Sequence, residues 1–163
     1  MTLTQLGEAH WGPAATGHRI WQSRRLLGSG DALWNEATEA LLTWRIKTRS
    51  GFVVEPLEPA QIGDQPRLQA VLGPIAIDEP IEVVDTLRSA SRVGFAYRTR
   101  PGHPVRGEEA FILTRQGQEV FLEIRSLTAP SDRVCWRVAF PLLLVAQAFT
   151  RWRYGRALLP NRV

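Results

Sequence analysis

Residues 91–127 read SRVGFAYRTRPGHPVRGEEAFILTRQGQEVFLEIRSL and contain three segments rich in β-branched and aromatic residues. These segments are SRVGFAYRT, EEAFILTR and QEVFLEIRSL. The four residues Arg115-Gln116-Gly117-Gln118 separate the last two segments, which is the spacing of a tight hairpin. Because short connections between successive strands favour antiparallel pairing, these residues predict an antiparallel meander.

Further β segments precede this region, and one helix interrupts them. We predict HRIWQSRRLL (18–27) as the first strand, and GFVVEPL, LQAVLGP and IEVVDTLR as later strands. After the first strand, apolar residues recur at helical spacing and predict a helix that begins near Asp31 and stops at Gly51. Its apolar stripe comprises Leu33, Ala37, Ala40, Leu41 and Trp44.

The pattern becomes helical again from Ser131 and predicts a long C-terminal helix that Gly155 and Pro160 bracket at its end. Its middle is apolar nearly all round, and such a helix is normally buried. We therefore expect it to pack on the sheet, with Cys135 in the core. One stripe comprises Val134, Val138, Leu142, Val145, Phe149 and Trp152.

The order of elements predicts an α+β protein: a strand, a helix, about six antiparallel strands and one long apolar helix. A curved antiparallel sheet of about seven strands, with one face covered by the C-terminal helix, satisfies both apolar patterns. This order is similar to that of the helix-grip, or START-like, fold, which often encloses a cavity between sheet and helix. The length of 163 residues favours a single domain over 1–163, with 1–17 as an irregular N-terminal segment.

Composition and charge narrow the classes of function. With 44% hydrophobic and 22% charged residues, the chain is an ordinary globular protein, and its single cysteine excludes an intramolecular disulfide. The net charge of +4 is typical of a solvated basic surface, with attraction to phosphates or anionic lipid as the alternative. Neither zinc-ligand spacing nor a nucleic-acid-binding motif occurs, so we expect no metal, no cofactor and no nucleic-acid partner.

The sequence also bears on location. The first residues lack the basic and apolar regions of a signal peptide, and the most apolar run, Val138 to Phe149, is too short to cross a bilayer. We therefore expect a cytoplasmic protein.

Residues 94–111 combine a strand, a Pro/Gly-rich turn with His103, and a strand that opens with two glutamates. Tyr97 belongs to the more apolar face of its strand and should point inward. Because Glu108 and Glu109 are adjacent in a strand, their side chains project to opposite faces of the sheet. Glu109 shares its face with Phe111, which favours Glu109 as the inward residue, although Glu108 stays an alternative. Tyr97, His103 and Glu109 could bind a polar head group or move a proton. The alternative is structural: His103 in a surface turn and Glu109 paired with an arginine.

This region resembles an uncharacterised bacterial and plant family, a domain of unknown function, with the signature G-F-x-Y-G-T-L-x-G-H-x-x-x-G-E-E-x-F. The resemblance covers most of the chain, including a C-terminal helix with Gln147 and Tyr154, and implies a START-like fold without an established activity. The matching residues are Gly94, Phe95, Tyr97, Thr99, Gly102, His103, Gly107, Glu108, Glu109 and Phe111. From these we take as candidate ligand-binding residues Tyr97, Thr99, His103, Glu108, Glu109 and Phe111.

The sequence departs from the family pattern at three places. Arg98 stands where the family has glycine, Arg100 stands where it has leucine, and the segment 126–130 lacks an expected arginine. Because arginine does not allow the close approach that glycine does, these changes put a family site at this end in doubt. They could mean a different ligand or the loss of the original function.

Three functions compete. The first is a small-molecule binding protein, with an apolar or amphipathic ligand between the sheet and the C-terminal helix. The second is an enzyme in which Glu109 or His103 is the general acid–base and Tyr97 orients the substrate. The third is a membrane-peripheral or protein-interaction module that uses the basic and aromatic residues 151–156. The sequence does not indicate an oligomeric state.

Overall fold

The computed structural model describes residues 2–12 and 17–159. Pro160, expected to help end the last helix, and part of the segment 1–17 lie outside the described residues. The elements, in chain order, are β1 (Arg19–Ser29), α1 (Asp31–Leu42), α2 (Arg45–Thr48), β2 (Phe52–Glu55), β3 (Arg67–Leu72), β4 (Ile75–Asp78), β5 (Ile81–Arg88), β6 (Arg92–Thr99), β7 (Val105–Gln116), β8 (Glu119–Pro130) and α3 (Val134–Ala157).

Five strands form the larger sheet in the order β1-β8-β7-β6-β5, and every neighbouring pair is antiparallel. Gly117 and Gln118 make the turn between β7 and β8, and Gln116 pairs with Glu119 beside it. The antiparallel meander that residues 91–127 predict is therefore confirmed, and it occupies the middle of the sheet.

The strands β2, β3 and β4 form a separate antiparallel sheet in sequence order. This arrangement differs from the expected single sheet of about seven strands. Proline sets the limits of two strands, because β2 ends just before Pro56 and β3 begins just after Pro66. A proline has no N–H to donate to a strand ladder, so neither strand extends further.

The helix expected between Asp31 and Gly51 is divided into α1 and α2. Trp44, at the break, has a left-handed backbone conformation with φ of 62° and ψ of 14°. Its indole is 1% exposed, and its ring centroid lies 4.5 Å from that of Phe95. Burial of this large side chain in the core holds the backbone in a conformation that non-glycine residues rarely adopt. The break turns α2 so that it carries Lys47 inward.

Both faces of the larger sheet are covered. On one face, Trp44, Phe95 and Phe111 lie in the main hydrophobic core with α1 and α2. On the other face, the N-terminal segment of residues 2–12 places Leu6 against a smaller apolar cluster. Gly94 allows close packing there, because a Cβ would lie 2.4 Å from the carbonyl oxygen of Phe111.

The helix α3 does not pack as expected. Among its residues only Tyr154 and Ala157 are buried, and the stripe expected in the core is exposed, from 53% at Trp152 to 77% at Val138. Cys135, also expected in the core, is exposed. These expectations are wrong because a helix that is apolar nearly all round offers more than one apolar face. Of the helices described, α3 is the one that has the length and composition of a membrane span.

Candidate ligand-binding site

A cavity of about 540 Å³ lies between the larger sheet and α3, with further walls from the smaller sheet and α2. This volume is within the range of small-molecule sites, roughly 300–1,000 Å³. The residues that both line the cavity and are well exposed mark its mouth: Leu72, Leu142, Val145 and Phe149. Apolar side chains dominate the walls, among them Phe52, Ala70, Val71, Ile77, Leu143 and Ala146.

Four polar side chains meet at one wall of this cavity. The ammonium of Lys47 lies 3.2 Å from Glu109 Oε2 and donates a hydrogen bond of 2.5 Å to the Tyr154 hydroxyl. The Tyr97 hydroxyl donates to the same Glu109 oxygen. Lys47 is 1% exposed, so its charge is removed from bulk water and is balanced by Glu109. We call Lys47, Tyr97, Glu109 and Tyr154 the polar cluster.

Each member of the polar cluster comes from a different element. Tyr97 on β6 and Glu109 on β7 are direct partners in the antiparallel ladder, so their side chains project from one face side by side. Lys47 comes from α2 and Tyr154 from α3. Aromatic rings surround the ammonium, with centroids at 4.6 Å for Phe52, 4.8 Å for Tyr97 and 4.9 Å for Tyr154. These rings add cation–π attraction to the ion pair.

The environment keeps both phenols protonated. Burial raises the pKa of Tyr97 well above its usual value of 10, and the charge of Glu109 raises it further. Burial likewise raises the pKa of Tyr154, followed by the charge of Glu109. Both hydroxyls therefore stay hydrogen-bond donors at neutral pH, and either can turn toward a bound molecule.

His103 forms a second polar group at the cavity. It is 7% exposed, its Nδ1 accepts a hydrogen bond of 3.1 Å from the Val105 amide, and its Nε2 lies 3.6 Å from Glu79 Oε2. Burial acts to raise the pKa of Glu79, but the neighbouring His103 and the charge of Lys47 outweigh it and lower that pKa. The turn containing His103 is thus part of the cavity wall and not a surface turn.

Two further wall residues have polar atoms without a partner. Ser50 Oγ and Gln147 Oε1 are buried and make no hydrogen bond with any described residue. The amide nitrogen of Gln147 holds this side chain in place, because Nε2 donates a hydrogen bond of 3.1 Å to Thr128 Oγ1. Thr38 Oγ1 and Thr114 Oγ1 are buried and unpaired as well but do not line the cavity, so the lack of a partner does not by itself identify a binding site.

The residues predicted for the site have different positions. Tyr97, Thr99, His103 and Glu109 line the cavity, and Thr99 Oγ1 also accepts a hydrogen bond of 3.0 Å from the Gly107 amide. Gly107 fits there because it has a φ of +154° and a Cβ would lie 1.7 Å from the Leu127 carbonyl oxygen.

Glu108 also borders the cavity, although its carboxylate has other partners, whereas Phe111 is not a lining residue. The Glu108 carboxylate accepts hydrogen bonds from the amide and hydroxyl of Thr4, on the sheet face opposite to Glu109. Only Glu109 of the adjacent pair therefore joins the polar cluster. Phe111 is fully buried beneath that cluster, where its ring meets the edge of Tyr154 at 5.1 Å between centroids.

The departures from the family pattern do not block the cavity. Arg98 is exposed and lies 3.4 Å from Glu82, and Arg100 is exposed as well. The segment 126–130 has no arginine of its own, but Arg151 reaches Ser126 Oγ at 3.2 Å from α3. A guanidinium therefore lies beside this segment although it comes from another element.

Sequence reasoning did not find Lys47, Glu79, Ser50 or Tyr154 as members of the site. Lys47 had a usable signal, because it is the chain's single lysine and arginine supplies the other basic side chains. Tyr154 had a signal as well, since it belongs to the family resemblance. Glu79 and Ser50 have no distinguishing pattern, and only the fold brings them to the cavity.

Solved structures with a similar fold include a hypothetical protein from Helicobacter pylori, at 11% identity and a TM-score of 0.63, covering 97% of this chain and 98% of that one. The Zhui aromatase/cyclase from a Streptomyces species is 16% identical with a TM-score of 0.63, covering 87% and 92%. Norcoclaurine synthase from Thalictrum flavum, in complex with dopamine and hydroxybenzaldehyde, is 9% identical with a TM-score of 0.55, covering 90% and 89%. At these identities the likeness shows the fold alone, which is that of the helix-grip, START-like class.

Within that class the chain belongs to a particular family. Residues 2–157 match the family described as a domain of unknown function, DUF1990. This agrees with the resemblance that residues 94–111 indicated. No curated protein matches the chain.

Proposed function

We propose that this protein binds an amphipathic small molecule in the cavity between the larger sheet and α3. The observation behind the proposal is the combination of a mostly apolar cavity of about 540 Å³ with the buried polar cluster at its wall. Ligand pockets in proteins have this composition: apolar walls for the body of the molecule and a few fixed polar groups for its orientation.

The unpaired wall atoms narrow the chemistry of the ligand. Gln147 Oε1 can accept a hydrogen bond from a hydroxyl or N–H, while Ser50 Oγ can donate or accept. Lys47 and Glu109 already balance each other, but Arg153 also lines the cavity, and no carboxylate of the described residues forms an ion pair with it. An anionic group on the ligand would therefore have a counterion in the cavity wall. The expected ligand has an apolar body and a polar or anionic end.

A titration with an environment-sensitive anilinonaphthalene dye tests the cavity. Ala70 on β3 lines the cavity, whereas Ala76 on the adjacent strand β4 is exposed and is not one of its lining residues. Ala70→Phe should fill part of the space and weaken dye binding about tenfold or more, and Ala76→Phe is the matched control. Equal dye affinity in both variants and wild type would mean that the dye does not enter this cavity, against the proposal.

A second candidate function is acid–base catalysis at the same cluster. The continuous hydrogen-bonded chain from Tyr97 through Glu109 to Lys47 in the cavity wall favours it. An enzyme should convert its bound molecule, so Glu109→Gln and His103→Ala should leave substrate bound but unconverted. If neither substitution changes the chemical form or the affinity of a bound molecule, the cavity binds without catalysis.

A further inference from the structure

The outer face of α3 is an apolar surface that nothing in the described chain covers. Six side chains, each more than half exposed, follow one line along five helical turns, a distance of about 27 Å. We call this line the α3 stripe; its members are Val134, Val138, Leu142, Val145, Phe149 and Trp152. Exposed apolar surface of this extent is typical of a protein–protein or membrane contact.

The charge around the stripe is of one sign. The helix contains four arginines and no carboxylate, and a fifth arginine, Arg133, precedes it. The nearest acidic residue in the sequence, Asp132, lies 3.4 Å from Arg106, which balances it. The arginines of the helix are Arg137, Arg151, Arg153 and Arg156.

The C-terminal end of the stripe adjoins a basic pocket. Arg49, Arg153 and Arg156 line it together with Trp152, Ala157 and Leu159, and none of these side chains is acidic. The Arg156 guanidinium lies 4.2 Å from the centroid of the Trp152 ring. Apolar, aromatic and basic groups therefore alternate at the boundary between a nonpolar surface and water, which is the pattern of side chains at a bilayer interface.

A second copy of the chain fits this surface poorly. In a two-fold contact of stripe against stripe, centred on residue 143, antiparallel helices would place Arg153 of one copy opposite Arg133 of the other. Because α3 has no carboxylate to balance them, that contact would oppose like charges. An anionic lipid surface has the complementary charge.

The other face of α3 fixes how the helix meets a bilayer. Gln147 is bonded to Thr128, Arg151 to Ser126, and Tyr154 to Lys47, so that face is tied to the body of the protein. A helix held in this way lies along a surface and does not cross it. The cavity mouth opens on the same side, since Leu142, Val145 and Phe149 belong to both the stripe and the cavity wall.

We propose that the α3 stripe and the basic pocket dock this protein on the surface of an anionic bilayer, with the cavity mouth toward the lipid. This docking does not require a molecule in the cavity. It is therefore tested separately from the proposed ligand binding.

Flotation with lipid vesicles is the test. The full chain should float with vesicles of equal parts phosphatidylcholine and phosphatidylglycerol, and not with phosphatidylcholine alone. Val138 is 77% exposed and outside the cavity wall, so Val138→Glu should leave the fold intact and lower the bound fraction about tenfold or more. Ile62→Glu makes the same change at a 64% exposed loop position and should bind as wild type does.

The basic pocket is tested by a matched pair of charge changes. Arg156→Gln should weaken binding about fivefold and reduce its salt dependence. Arg67→Gln removes an equal charge from an exposed position beside Glu55 and should have little effect. A polarity-sensitive dye on Cys135, the exposed single cysteine, should shift to the blue when anionic vesicles are added.

Several outcomes would overturn the docking proposal. One is failure of the wild-type chain to float with anionic vesicles. Another is an equal loss of vesicle binding in Val138→Glu and Ile62→Glu. A third is binding of the wild-type chain to neutral vesicles as strongly as to anionic ones. A dimer in solution that Val138→Glu dissociates, without vesicle binding, would assign the stripe to a second copy instead.

Discussion

The two faces of the larger sheet each bury an ion pair, but the surroundings of the two pairs differ. On the face of the N-terminal segment, Arg125 lies 2.7 Å from Glu123, and its guanidinium also donates to the carbonyl oxygens of Thr4, Gln5 and Glu8. The chain itself therefore closes this pair completely.

On the cavity face, the pair between Lys47 and Glu109 borders open space. Two protonated phenols complete it, and the unpaired atoms of Ser50 and Gln147 belong to the same cavity wall. Burial of a charge therefore does not by itself distinguish a structural role from a functional one. The adjacent empty volume makes that distinction, and it favours the polar cluster as the ligand site.

The largest effect should come from the closed pair. Arg125→Met would remove the nearest counter-charge of Glu123, which keeps Arg92 and Gln22 as partners. It would also remove the side-chain donor to the carbonyl oxygens of Thr4 and Gln5. Because several buried hydrogen bonds to a charged group are lost together, the free energy of unfolding should fall by about 3–5 kcal/mol. Urea denaturation monitored by circular dichroism measures it. A loss below about 1 kcal/mol would mean that the N-terminal segment is held by other contacts.

The open pair should be more important for binding than for stability. Lys47→Met should lower the free energy of unfolding by only about 1–3 kcal/mol, because water in the cavity can solvate Glu109. The same substitution should weaken binding of the anilinonaphthalene dye about tenfold. Arg45→Met removes a charge from the exposed side of α2 and is the control. If Lys47→Met binds the dye as tightly as wild type does, the pair of Lys47 and Glu109 has no role in ligand binding, and the two faces of the sheet do not differ in the way described.

The buried phenols predict a loss of stability in alkali. Because burial and Glu109 raise the pKa of Tyr97, the unfolded chain ionises this group first, and stability should fall as pH rises above about 10. The slope from one such group is at most about 1.4 kcal/mol per pH unit. Denaturation midpoints across this range should fall less steeply in Tyr97→Phe, and an identical slope would contradict the environment described for Tyr97.

The smallest effect should come from the pair of His103 and Glu79. The lowered pKa of Glu79 contributes stability that is present above its ordinary value of 4.5 and is lost as pH falls through the lower folded value. Glu79→Gln should remove this contribution, under about 1 kcal/mol, whereas Glu58→Gln at an exposed loop position should not. Urea denaturation midpoints measured at a series of acidic pH values would show whether Glu79→Gln, and not Glu58→Gln, differs from wild type in its pH dependence.

Much of the fold follows from local patterns. The hairpin at Gly117 and the alternation around Tyr97 and Glu109 are properties of neighbouring residues, so sequence indicates them. The break at Trp44 and the division into two sheets depend on tertiary packing, which the local patterns of an amino-acid sequence do not reveal. The spacing of the apolar residues identified the α3 stripe. It did not indicate whether the stripe faces the sheet or the outside, because either apolar face of the helix satisfies the same periodicity.

The site was predictable only in part. Tyr97, Glu109 and His103 lie close together in sequence and were identified, whereas Lys47 is 62 positions away from Glu109 and Tyr154 is 107 positions away from Lys47. Such long-range contacts arise from the topology of β6, β7, α2 and α3. The empty volume between sheet and helix has no signature in the sequence, because the same apolar residues can fill a core or line a cavity.

Native mass spectrometry of the purified chain, followed by denaturing extraction, tests the central claim most directly. We expect a single co-purifying molecule with an apolar body and a polar or anionic end, absent from Ala70→Phe and retained by Ala76→Phe. A molecule retained equally by both variants, or wild-type protein that carries nothing and also fails to bind the dye, would contradict it.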